Sequence, residues 1–201
     1  MSWLELDATQ NRPAETSPAA LWQRVDIRPV DEIPGAVSRY LEELRRVYVN
    51  GDAQYARFAL SGTPDFTWFA TRNRWQELDF FTQLLTHPVV RAALPGVTKG
   101  MKRTHLAHFE WASSLTLDGE LARLLVAGGA YQAFAGPPRE AKQLGGQLCE
   151  ALFGDRYLEV VVYRNYSPWS AWFQDVAWDS THLLIDRRLQ EVSLIWATDT
   201  D

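Results

Sequence analysis

A single cysteine, Cys149, stands in 201 residues, so no disulfide can form within the chain and an oxidising compartment would lend the fold nothing. Met1 to Asp31 lacks the basic start and apolar core of a secretory leader. Without that route, the Asn165-Tyr166-Ser167 sequon carries no meaning. No stretch reaches the roughly eighteen apolar residues of a membrane span; the nearest, Leu121 to Pro138, is broken by Arg123 and Gln132. Lysine and arginine never run longer than two, and the net charge is −5, which excludes a general nucleic-acid surface. A cytoplasmic protein with neither membrane nor nucleic-acid partner is expected.

Motifs for chemistry are also missing. No serine lies in a Gly-x-Ser-x-Gly elbow. Gly128-Gly129 follows a helical pattern and lacks the Lys-Ser/Thr of a phosphate loop, so it reads as a helix stop. Cys149 sits in an apolar helical pattern and reads as a buried small hydrophobe. No cofactor signature is present, and no metal is expected. His105 and His108 would point to opposite faces of a strand and so could not share an ion.

What is there is hydrophobic: 46% of the residues, with nine tryptophans. This fits one globular domain over residues 1–201, with the polar, proline-containing segment 1–20 as a flexible arm. The C-terminal quarter reads as an antiparallel meander of YLEVVVYRNY, WFQDVAWD, THLLID and EVSLIWA. A tight turn at Asp179-Ser180 would pair Trp178 with Thr181. A second turn at 187–190 would pair Asp186 with Glu191 and Ile185 with Val192. Alternation then puts Trp172, Val176, Trp178, Leu183, Ile185, Val192, Leu194 and Trp196 on one apolar face. Asp175, His182, Asp186, Glu191 and Ser193 fall on a polar opposite face, which Tyr157, Glu159 and Tyr163 join if Leu158, Val160 and Val162 are core.

Upstream, Ser17-Pro18 can cap a short helix, and Val37, Tyr40, Leu41, Leu44, Val47 and Tyr48 follow helical spacing over 34–50. Asp52 can cap a helix reaching Leu60, and Asn73 one ending near His87. Thr104 to Leu115 reads as a strand, while 118–126 and 138–153 read as helices, the latter stopped by Gly154. The expected class is α+β: a mostly helical N-terminal half on one face of an antiparallel sheet.

Two functions follow from different surfaces. Tyr166, Trp169, Trp172 and Phe173 crowd one loop between strands, a composition suited to recognition or to plugging the core. With Asp175, Asp179 and Asp186 they define a candidate binding surface on a non-enzymatic protein-binding or inhibitory module. Small acidic immunity and antitoxin-like proteins share this compositional profile. The acidic side chains would favour a basic protein partner. The alternative is a small enzyme or ligand-binding protein using His182 with Asp175 and Asp186 on the polar face.

Overall fold

The hairpin turning at 187–190 is the spine of the sheet. In this computed structural model, which describes every residue except Met1, Ser2, Leu6, Ala8, Glu15 and Thr16, β5 (Ser180–Asp186) pairs with β6 (Glu191–Thr198). Ile185 lies opposite Val192 and Asp186 opposite Glu191, the expected register. β1 (Asp26–Pro29), β2 (Asp52–Ser61), β3 (Glu110–Ala112) and β4 (Val160–Asn165) complete a six-stranded antiparallel sheet in the order β1-β2-β6-β5-β4-β3.

Side-chain alternation splits the core into two clusters, one per face. Leu183, Ile185, Val192, Leu194 and Trp196 join Ile27, Phe58, Leu60 and Tyr163 on the first. Over it lie α1 (Pro18–Trp22), α3 (Pro64–Thr71), α4 (Phe80–Thr86), α5 (Pro88–Ala93) and α6 (Arg103–Leu106). Most helices of the N-terminal half thus lie on this sheet face, and the class is α+β. Trp3, Trp22, Phe66, Trp75 and Phe80 knit this layer with mostly edge-on ring contacts at 5.0–5.9 Å. The segment 1–20 read as a flexible arm lies partly outside the described residues; within it, Trp3 is fully buried.

The second face is not open to water. Leu184, Ile195, Ala197, Val160, Val162, Ala53 and Tyr55 lie under α2 (Gly35–Val47), α7 (Leu117–Ala127) and α8 (Pro138–Phe153). The expectation of a polar, solvated face around His182 is therefore corrected: β5 is buried along its whole length because helices cover both sides. α2 buries Val37, Tyr40, Leu41, Leu44 and Val47, as its spacing predicts.

Four local expectations are overturned. Residues 52–60 form β2, not a helix: Ala53 and Tyr55 face one cluster, and Phe58 and Leu60 the other, which is period two. Residues 172–179 form no strand, so the Trp178–Thr181 hairpin does not exist; Thr181 faces Trp196, and Trp178 packs against the cluster opposite Trp196's. In β4 the faces are exchanged: Tyr163 lies opposite Leu183, Val162 opposite Leu184, and Leu158 is exposed outside the strand. Finally, 104–115 divides into the end of α6, a turn and the short β3.

Candidate functional site

Along α7 the apolar pattern Leu117, Leu121, Leu124, Leu125 is interrupted at Glu120 and Arg123, a spacing that stacks the two, with Ala127, on one side of the helix. That side faces the ends of β4 and β5. Glu120 Oε1 accepts a hydrogen bond from Arg164 at 3.1 Å, and Glu120 Oε2 lies 3.6 Å from His182 Nε2. Arg164 and His182 are cross-strand neighbours, so the sheet register itself creates this cluster. His182 is 1% exposed, and neither of its ring nitrogens finds a hydrogen-bond partner among the described residues. Tyr166 packs at right angles to His182 with ring centres 6.3 Å apart. Its ring lies 5.8 Å from the Arg123 guanidinium and 5.9 Å from that of Arg164.

The His182 imidazole and the Arg164 guanidinium hold the Glu120 carboxyl below its ordinary value of 4.5, against the opposing effect of burial. A carboxylate with a depressed folded pKa stabilises the protein above its unfolded value and loses that contribution as pH falls through the folded one. The stability gap between the native chain and Glu120→Gln should thus be widest near neutral pH and shrink below pH 4.5. Urea melts across pH would measure it, and a gap independent of pH would contradict the assignment.

Beside this buried cluster opens a cavity of about 430 Å³, lined by Tyr48, Arg123, Leu124, Ala127, Gly128, Tyr166 and residues 176–179. Arg123 donates to the Tyr166 hydroxyl at 3.2 Å and has no carboxylate partner among the described residues. Tyr48 is 2% exposed, and burial pushes its phenol up to about 12. Two buried carboxylates fix the walls. Asp179 accepts from the Asp175 and Val176 amides at 2.8 and 3.2 Å and from the Thr198 hydroxyl at 2.6 Å. That closure holds Asp175 at φ 62° and prevents 174–176 from pairing as a strand. Asp199 accepts from the Asn50 and Ala130 amides at 2.9 and 2.8 Å, joining the end of α2 to the loop after α7. Gly129 must be glycine there, since a Cβ would sit 2.3 Å from the Val47 carbonyl oxygen.

No family model, curated protein or solved structure matches the chain.

The residues singled out in the sequence scatter. Trp169 is fully buried, its indole donating to Thr181 Oγ1 at 2.9 Å; Phe173 is buried beside it, and Trp172 is half-buried against the same cluster. Tyr166 alone of the four is exposed, at 41%. Asp186 lies at the far end of β5 from Asp179, bridged to Arg156 at 2.9 Å, and Asp175 lies exposed in the loop. The grouping of His182 with Asp175 and Asp186 is therefore corrected: Asp175 joined it only through the absent hairpin, and Asp186, four residues along β5 from His182, is held by Arg156 instead. The acidic residues expected to draw a basic partner do not form one exposed field. Asp179 is buried, Asp186 is neutralised by Arg156, and Glu191 lies 3.7 Å from Arg57.

Glu120, Arg123, Arg164, Tyr48 and Trp178 join the site without being expected there from the sequence. The polar break on α7 was the available signal. His105 and His108 stack at 5.5 Å, not on opposite faces, because the end of α6 and the turn after it, closed by the His108 amide on the His105 carbonyl, replace the strand; their Nδ1 atoms contact Pro168 O and Ser167 Oγ. No group of three or more potential metal ligands occurs among the described residues. Cys149 is buried and its thiol is pushed up to about 12, which leaves it unreactive.

Proposed function

We propose that this chain is a non-enzymatic protein-binding module whose recognition surface is the cavity of Tyr48, Arg123, Tyr166 and Trp178. One observation carries the reading: a tyrosine, a tryptophan and an arginine with no carboxylate partner among the described residues converge on a single concavity, which the buried Tyr48 also lines. Those are the residue types that dominate binding energy at protein interfaces. Hydrogen bonds to Asp179 and Asp199 tie down the loops around the surface, which lowers the ordering cost of association. A partner would place an apolar side chain between Tyr166 and Trp178 and a carboxylate on Arg123. The partner is thus acidic at its point of contact.

The catalytic alternative draws on the Glu120–His182 contact. A general base must reach a substrate proton within hydrogen-bond distance, and His182 is 1% exposed behind Tyr166. Binding accords better with that burial.

Recovery of the partner from the native host, followed by titration of the purified pair, tests the proposal. Tyr166→Ala and Arg123→Ala should each weaken binding by about 2 kcal/mol, roughly thirtyfold. Leu158→Ala, at an exposed apolar side chain outside the cavity, should leave affinity unchanged. Equal affinity for all three variants would remove the cavity from the interface.

A further inference from the structure

Phe80 to Phe109 contains four cations, Arg91, Lys99, Lys102 and Arg103, and no aspartate or glutamate. The net charge of −5 thus divides into +4 over these residues and −9 over the rest of the chain. Many arginines elsewhere are met by carboxylates, such as Arg156 by Asp186 and Arg164 by Glu120. These four are exposed, and among the described residues none makes an ion pair or a side-chain hydrogen bond. The segregation has a place in the fold. α5 and the loop that follows it border a cavity of about 430 Å³, lined by Thr86, Pro88, Arg91, Pro95, Thr98 and Lys99 among others.

The loop presenting the lysines is held on both sides. The Lys102 amide donates to the Trp169 carbonyl at 2.7 Å, and the Ala171 amide donates to the Lys99 carbonyl at 3.1 Å. Gly100 adopts φ +64° against Ala171, and Val97 and Thr98 are buried beneath. Like charges around one concavity repel, and a bound anion reverses the sign of that energy.

We infer that this cavity is an anion site for a phosphate or diphosphate group on a small ligand. Arg91 and Lys99 bind the phosphate oxygens, and Lys102 and Arg103 extend the attracting field. Phosphate fits because a guanidinium meets its oxygens two at a time and a lysine adds a compact point charge. A nucleic acid fits less well. Four cations in a chain whose other residues sum to −9 fall short of the row of phosphate contacts on which such binding rests.

Calorimetric titration of the full chain with inorganic pyrophosphate tests the inference. The expected result is saturable one-to-one binding that weakens as salt rises. Arg91→Gln and Lys99→Gln should each lower affinity about tenfold, without altering the melt, since both side chains are exposed and unpaired. Arg139→Gln, an exposed cation on α8, should bind as the native chain does. Absence of saturable binding, or affinities indifferent to Arg91 and Lys99, would overturn the site. Parallel titrations use a single-stranded oligonucleotide and vesicles carrying phosphoinositide. Tighter binding of either, lost in the same two variants, would overturn the small-ligand assignment.

Discussion

Trp196→Ala should cost about 3–5 kcal/mol, measured as a lowered denaturant midpoint. Trp196 is 1% exposed on β6, and its ring meets Trp172 edge-on at 6.5 Å. Truncation removes a large apolar side chain from a site with structure on every side, so the void cannot collapse. The loss belongs to packing, because the indole nitrogen has no hydrogen-bond partner among the described residues. Trp196→Phe should accordingly retain much of the stability. A loss below about 1 kcal/mol on truncation would place Trp196 at the surface and break the Thr181–Trp196 register.

Asp179→Ala should cost about 3 kcal/mol or more by a different route. Its carboxylate is 1% exposed and accepts from three backbone amides, those of Gln174, Asp175 and Val176, and from the Thr198 hydroxyl; without it, those donors lose their acceptor. Asp179→Asn should recover only part of the loss, since an amide group turns an N–H toward donors where the carboxylate offered oxygen. The same substitution should impair partner binding, because residues 176–178 form one wall of the cavity. Urea melts and partner titrations on one set of variants would separate the two effects. An Asp179→Ala chain as stable as the native one would show that the loop is held by other contacts.

The sequence revealed the elements whose partners are close in the chain. The β5–β6 hairpin was legible because alternation on both sides of 187–190 agrees on a single face. α2, α7 and α8 were legible from helical spacing, with Gly154 marking the end of α8. β2 was not, because Ala53, Ala56 and Ala59 suit a helix and the pairing that overrides this comes from β6. Residues 172–178 failed for the opposite reason: they alternate as a strand should, but a side chain, Asp179, captures the amides.

The site was legible only as fragments. Tyr166, Asp179 and His182 drew notice from their neighbours in sequence. Glu120, Arg123 and Tyr48 reach them only because α2 and α7 lie over the second face of the sheet. Nothing local states that placement. The acidic residues misled for the same reason, since Arg156 and Arg57, which neutralise Asp186 and Glu191, stand on other elements.

The strand order bears on how the molecule forms. β6, the last strand in chain order, lies between β2 and β5 near the middle of the sheet. Tyr55 on β2 and Ser193 on β6 share a hydrogen bond across 138 residues of chain. Until β6 emerges from the ribosome, β2 and β5 each present an unsatisfied row of amides and carbonyls, and the two helical layers have no common sheet to close upon. Pairings of such span slow folding, toward milliseconds to seconds, because the loop must close before any contact rewards it. The chain therefore passes through synthesis with two sticky edges uncovered, the stage at which edge-to-edge aggregation competes with the native sheet.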